Sequence, residues 1–166
     1  LFVVNLIVGV GFLGVPIAVI FVNNAVYGMT GGQLAPTTVL GQRTTTTPEG
    51  RGALEGAPLR MAEIIASLDG PAYVERVALF DAKQRKRAAK AIRKALDLQA
   101  RNAGFAFVEV LSECPTHLKV TPAEAERWVV EKMLPVFPLG VKKDVPGKDW
   151  SAILRTPTFD GPALLA

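Results

Sequence analysis

The chain has 166 residues, of which 49% are hydrophobic, and a formal net charge of +4. That length and apolar content exclude a disordered tail and suffice to bury the core of one domain. Its single cysteine, Cys114, excludes an internal disulfide framework and makes a reducing, cytoplasmic setting the expectation.

Residues 1–22, LFVVNLIVGVGFLGVPIAVIFV, carry no charge, and the first charged residue is Arg43. Hydropathy alone would let such a run cross a membrane. Pro16 and three glycines interrupt it, however, and no Lys or Arg flanks it. The run therefore reads as split at Pro16. Residues 1–15 form an apolar segment of their own, and Ile17 to Val22 is expected to be a fully buried parallel strand, for which a continuous aliphatic stretch is the pattern. Next come the polar, glycine-rich Asn23 to Thr38, NNAVYGMTGGQLAPTT, and a long loop over 41–58 with four consecutive threonines. Loops of that length inside a compact domain are usually functional.

Leu59 to Leu68 is predicted to be a helix with Met61, Ile64, Ile65 and Leu68 on one face and Gly70 as its stop. AYVERVALF, 72–80, reads as a strand. Asp81 is placed to cap a helix running to about Ala100, ended by Asn102 and Gly104. FAFVEVLS, 105–112, is a further aliphatic and aromatic strand. Thr121-Pro122-Ala123-Glu124 is a complete capping box, and the helix it opens must stop before Pro135. Residues 16–144 form the domain proper. The Pro- and Gly-rich tail, 145–166, contains Trp150 and Ile153, which could pack on something. Strands alternating with helices argue for an α/β fold with a mainly parallel sheet flanked by helices, in which ligands lie beyond the carboxyl ends of strands. Asn23 to Gln33 stands at such a place.

The chemistry of that loop suits a metal-bound diphosphate. Gly28, Gly31 and Gly32 let the backbone approach an anion. Thr30 and nearby amides are donors for phosphate oxygens. Asn23 and Asn24 offer amide oxygens, hard ligands for Mg²⁺. A polar turn that only satisfies its own backbone has the same composition.

The string VIFVNNAVYGMTGGQLAPTT resembles the thiamine-diphosphate loop of the β subunits of 2-oxoacid:ferredoxin oxidoreductases. GQRTTTTPEGR, AYVERVALFD, GFAFVEVLSECPT and EAERWVVEKMLPVFPLGVKKD resemble later segments of the same family, and the CPT…FPLG wording leans toward its 2-oxoglutarate-type members. The resemblance implies a thiamine-diphosphate-binding fold. It implies Mg²⁺ held by the Asn24 side chain and the Val26 carbonyl, and a diphosphate lined by Gly28, Met29 and Thr30. It implies oxidative decarboxylation of a 2-oxoacid to an acyl-coenzyme A with electrons passed to ferredoxin, in company with an α subunit and γ or δ subunits. Gly31, Gly32 and Gln33 would hold the loop against the partner subunit.

The departures from the family matter equally. The family's Gly-Asp-Gly motif, whose Asp is the anionic Mg²⁺ ligand, stands before the paired Asn. Here no acid precedes Glu49. The expectation is a C-terminal part of such a subunit, N-terminally incomplete and inactive alone. Cys114 matches one of the thiolates that hold a 4Fe-4S cluster in some members. Alone it reads as a small half-buried thiol at a strand end. His117, the one histidine, supports no catalytic dyad by itself. Residues 83–101 hold eight Lys or Arg against one acid, Asp97, yet no aromatic is interleaved among them. They therefore read as a solvated helix, not a nucleic-acid surface, with Ala89, Ile92 and Leu96 as its buried face. The alternative reading, a non-catalytic membrane-tethered or partner-binding remnant of the same fold, rests on the uncharged first 42 residues.

Overall fold

In a computed structural model of the chain, residues 2–147 are described. Trp150 and Ile153 of the tail lie outside them. The elements, in order, are α1 (Phe2–Leu13), β1 (Ala18–Asn23), α2 (Met61–Ala66), β2 (Pro71–Ala78), α3 (Ala82–Ala100), β3 (Phe105–Leu111), α4 (Pro115–Leu118), α5 (Pro122–Trp128) continuing as a π-turn segment (Val129–Met133), and β4 (Gly140–Asp144). The sheet order is β1-β3-β2-β4. β3 runs parallel to both β1 and β2, and β4 is antiparallel to β2. The α/β fold with a mainly parallel sheet is thus present, and β4 adds an antiparallel edge that the sequence pattern did not reveal.

Side-chain alternation divides the sheet into two faces. On one, Tyr73, Val77, Ala106, Val108 and Val110 meet Ala88, Ala91 and Ala95 of α3. On the other, Val74, Phe105 and Phe107 meet Met61, Ala62 and Ile65 of α2, with Ile7, Val8 and Val10 of α1 packed behind. The buried face of α3 is therefore one of alanines, not the expected Ala89 and Leu96. Leu96 is 48% exposed. Small side chains let the helix lie close on the sheet, and the longer Leu turns outward.

Three further expectations change. β1 is an edge strand and is not fully buried: Ile20 is 37% and Val22 60% exposed, because α3 packs mainly over β2 and β3, and of β1 only Ala18 joins the hydrophobic cluster beneath it. Residues 2–13 form a helix packed on α2, and no helix of the described residues is long and apolar enough to cross a membrane. Gly70 does not stop α2 with a left-handed backbone. Instead it lets α1 end against it, since a Cβ there would stand 2.2 Å from the Gly11 carbonyl oxygen. The expected stops of α3 do hold, with Asn102 and Gly104 both at positive φ. The capping box at Thr121 and Glu124 is formed in both directions.

Charge sits inside this core. Arg76 on β2 and Glu109 on β3 are register partners, and both side chains are fully buried. Arg76 Nε donates to Glu109 Oε2 at 2.9 Å, and its two terminal nitrogens donate to Glu63 of α2 at 2.7 and 2.5 Å. The guanidinium also lies 5.3 Å from the ring centre of Phe137. Burial pushes the Glu63 carboxyl up, but the hydrogen bonds and charge of Arg76, with Lys142, outweigh it and hold its pKa below the ordinary 4.5. The unfolded chain therefore takes up this proton more readily than the folded one. The stability that Glu63 contributes is complete above about pH 4.5 and is lost as pH falls through the lower folded-state value. Melting temperature is expected to fall on acidification below about pH 4.5. Glu63→Gln is expected to lower it at pH 7 and to flatten that acid limb. Arg76→Met, which leaves Glu109 buried without its cation, is expected to cost about 3–5 kcal/mol in denaturant titration.

Candidate cofactor site

The chain leaves β1 through a tight turn at the carboxyl end of the sheet. Ala25 is wholly buried and sits at φ 59°, a left-handed conformation that costs a non-glycine residue about 1–2 kcal/mol. Three bonds hold it there. Asn23 Oδ1 accepts from the Ala25 amide at 3.0 Å, the Ala25 carbonyl accepts from Thr38 Oγ1 at 2.8 Å, and Thr38 Oγ1 in turn accepts from the Ala35 amide at 2.9 Å. The buried methyl joins Val39, Leu111 and Phe137 in a third core cluster. Asn24 Oδ1 accepts from the Val26 amide at 3.3 Å, a long bond that leaves an oxygen lone pair open.

The two amides of the Asn pair consequently differ. Asn24 is half-buried and lines a cavity of about 240 Å³ together with Asn23, Val26, Tyr27, Thr37 and Met61. Asn23 borders the same cavity, but it is buried and both ends of its amide are engaged, Nδ2 donating to Glu109 Oε1 at 2.7 Å and Oδ1 accepting from the Ala25 amide.

After Val26 the chain folds on itself. The Tyr27 amide donates to the Gln33 carbonyl at 3.1 Å and the Gly32 amide to the Tyr27 carbonyl at 2.9 Å. Thr30 Oγ1 donates to Gln33 Oε1 at 2.6 Å, so its hydroxyl is already engaged. Met29 is fully exposed and stands off the turn. Gly28, Gly31 and Gly32 line a second hollow, about 290 Å³, with Cys114, His117 and Lys119. A Cβ on Gly28 would stand 3.2 Å from Cys114 Sγ, and one on Gly32 would stand 2.7 Å from His117 Nδ1. The structure thus joins Asn24 with Val26 in one cavity and Gly28 with Cys114 in another, while Met29 and Thr30 line neither.

The second loop braces the first. Thr45 donates its amide to the Gly32 carbonyl at 2.9 Å, and Thr46 Oγ1 accepts from the Leu34 amide at 2.9 Å. Thr44 and Thr47 share a hydroxyl–hydroxyl bond of 2.6 Å. His117 Nε2 lies 3.1 Å from the Arg43 carbonyl oxygen and donates to it. Buried Arg51 donates to the carbonyls of Ala35, Pro36, Thr38, Glu55, Gly56 and Ala57. Burial lowers its pKa while the Glu55 carboxylate opposes the shift, and a guanidinium stays charged in either case. The sequence reading passed over Arg51, Glu109 and Arg76. The available signal was a charge inside a buried strand pattern for the latter two, and for Arg51 an Arg between the glycines of a polar loop.

As a donor set for a cofactor, Asn24 and Val26 supply neutral oxygens. Among the described residues no three His, Cys, Asp or Glu side chains gather as a metal site. Such a pair fits a cation whose charge is met by a diphosphate and does not fit a bare Mg²⁺. The one thiol of the chain does not fit a 4Fe-4S cluster, which takes four, and no step passes through one here.

The profile of the family described as thiamine pyrophosphate enzyme, C-terminal TPP binding domain, matches residues 2–110. The ketoisovalerate oxidoreductase subunit VorA of Methanothermobacter thermautotrophicus is 50% identical over 127 residues, 76% of this chain and 27% of that protein. The 2-oxoglutarate synthase subunit KorB of Archaeoglobus fulgidus is 40% identical over 117 residues, 70% of this chain and 40% of that protein. Among solved structures, a 2-oxoglutarate:ferredoxin oxidoreductase from Magnetococcus marinus, with 2-oxoglutarate, coenzyme A and succinyl-CoA bound, superposes with a TM-score of 0.61 at 19% identity, covering 97% of this chain and 61% of its own. That likeness concerns the fold. The chain spans well under half the length of these curated relatives.

Two glycine substitutions separate backbone strain from collision. Gly41 has φ +75° and open space around it, whereas Gly32 has φ +81° and the His117 ring against it. Gly41→Ala is expected to cost about 1–2 kcal/mol in denaturant titration, and Gly32→Ala more. Adding His117→Ala should recover only the excess, as a double-mutant cycle would read.

Proposed function

The chain belongs to the thiamine pyrophosphate enzymes, matching their C-terminal TPP binding domain over residues 2–110, and from that premise we propose that it is the cofactor-binding part of the β subunit of a 2-oxoacid:ferredoxin oxidoreductase. The observation that carries the reading is the left-handed turn after β1, which sets the Asn24 amide and Val26 in one cavity beside a glycine turn. Asn24 Oδ1 and the Val26 carbonyl hold Mg²⁺, and Gly28, Met29 and Thr30 line the diphosphate through their backbone, since the Met29 side chain stands off the turn and the Thr30 hydroxyl is engaged by Gln33. When bound, thiamine diphosphate supplies the nucleophilic and electron-accepting chemistry of oxidative decarboxylation. The residues of this chain bind and orient it.

The proposed reaction converts a 2-oxoacid to its acyl-coenzyme A while ferredoxin is reduced. The proposed partners are an α subunit, γ or δ subunits, ferredoxin, coenzyme A and the 2-oxoacid, in the cytoplasm. For the acid itself, the CPT…FPLG wording favours 2-oxoglutarate, whereas the half-identical relatives carry the ketoisovalerate name. Turnover of the assembled enzyme with each acid decides between them. Cys114 serves as a cluster ligand only in a parent that brings the other three thiolates.

Two neutral oxygens leave the cation dependent on the diphosphate, so the chain alone is proposed to be inactive and to bind its cofactor weakly. Calorimetry of the 166-residue chain is expected to give no heat with Mg²⁺ alone. With Mg²⁺ and thiamine diphosphate together it should give a Kd of roughly 1 mM, about 4 kcal/mol, and Asn24→Ala should abolish that binding. Micromolar binding by the chain would contradict the proposed weakness, and binding unaffected by Asn24→Ala would contradict the site.

A further inference from the structure

The buried carboxylate of Glu109 stands between two systems described above. Its Oε2 is tied to the framework, accepting from Arg76 Nε at 2.9 Å and from the Ala62 amide at 3.2 Å. Its Oε1 accepts from Asn23 Nδ2 at 2.7 Å. The same Asn23 side chain then accepts the Ala25 amide at its other end. An amide whose nitrogen is held by a carboxylate has only one way to present its oxygen, so the orientation of Asn23 is fixed by Glu109 and not by its own rotamer preference. The Ala25 turn it secures is strained, and strain of that kind persists only where the surroundings over-determine it. Asn24 and Val26, the two oxygen donors, flank Ala25 directly.

We propose that Glu109 is a positioning residue for the metal–diphosphate site: anchored by Arg76, it acts through Asn23 to lock the left-handed turn at Ala25 and so aims Asn24 Oδ1 and the Val26 carbonyl into one cavity. The inference rests on the proposed cofactor reading for its consequence. The linkage from Glu109 to Ala25 stands on the hydrogen bonds alone. Groups one step behind a metal ligand typically alter metal affinity by about 10- to 100-fold, and a charge-assisted bond at 2.7 Å between two buried groups is of the strong kind. A carboxylate serves better than an amide here because it accepts from Asn23, Arg76 and Ala62 at once without offering a donor that would clash with any of them.

The test uses the full chain with two readouts: amide exchange at Ala25 and Val26, and free Mn²⁺ measured by electron paramagnetic resonance during titration with thiamine diphosphate. The variants are Glu109→Gln, Asn23→Ala, Asn23→Asp and the pair Asn23→Asp/Glu109→Gln. Either of the first two is expected to accelerate Ala25 exchange at least about tenfold and to weaken Mn²⁺–thiamine diphosphate binding about 10- to 100-fold. Asn23→Asp alone sets two carboxylates together and should be worse. The pair reverses the polarity of the bond, with the amide introduced on β3 now the donor, and should recover both readouts. A merely structural loss would not be repaired by the pair. Should Glu109→Gln fail to fold, the pair still decides, because Asn23→Ala removes the acceptor of the Ala25 amide itself and reads only the Asn23–Ala25 bond, whereas recovery in the pair requires residue 109. Unchanged exchange in folded Asn23→Ala, or no recovery in the pair, overturns the proposal. Absence of any Mn²⁺–thiamine diphosphate binding by the wild-type chain overturns the cofactor reading instead, and the exchange data then decide the positioning link alone.

Discussion

The Arg76–Glu109 pair is the constraint from which the rest of the structure is arranged. Two opposite charges face each other across neighbouring parallel strands, both wholly removed from water. Desolvating such a pair costs several kcal/mol per ion, which only excellent geometry and further hydrogen bonds can offset. Both are present. Glu63 takes the far side of the guanidinium, the Pro138 carbonyl accepts another N–H at 3.2 Å, and Phe137 stacks against its face. The pair thereby fastens α2 to the sheet, brings the segment before β4 over the same face, and leaves one carboxylate oxygen for the loop beyond β1. An apolar pair of similar volume would pack there at less cost, but it would have nothing to offer Asn23.

The loops show the same economy in backbone terms. Residues 23–58 contain no helix or strand beyond the last residue of β1, so their carbonyl and amide groups need partners of another kind. Arg51 supplies five N–H donors in a rigid fork and accounts for six carbonyls through shared bonds. Within the threonine run, the Thr46 hydroxyl joins the second loop to the first at Leu34, and the Thr44–Thr47 pair closes the second loop on itself. Order of this sort is what a binding loop requires, because a site whose backbone must first be ordered spends binding energy on doing so. The glycines serve it by removing bulk: His117 and Cys114 occupy the space that side chains at Gly32 and Gly28 would take.

At the margins the sheet is less finished. β1 presents Ile20 and Val22 to solvent, and α1 presents Phe12 and Leu13. On the opposite side, α3 carries its positive charges outward, several of them paired: Arg87 with Glu75 at 2.9 Å, Lys94 with Asp144 at 2.5 Å and Arg85 with Glu126 at 3.6 Å. Those pairings agree with a solvated outer helix. Apart from Glu75 they join exposed groups, which gain little from pairing in water.

Much was legible in the sequence by itself: the α/β alternation, the capping of α3 and α5, and the glycine-rich loop at a strand end. Each is set by local rules, since periodicity, capping chemistry and turn residues act over a few neighbours. The wording of Asn23 to Thr38 also identified the family. What tertiary structure alone decided was the division of labour within that loop. Asn23 and Asn24 are chemically identical side chains at the border of one cavity, and only the place of Glu109, distant in sequence, ties the first of them into the buried network. The edge position of β1 and the alanine face of α3 were hidden for the same reason. Burial depends on which element lies opposite, and that is a property of the packed sheet and not of the strand's own residues.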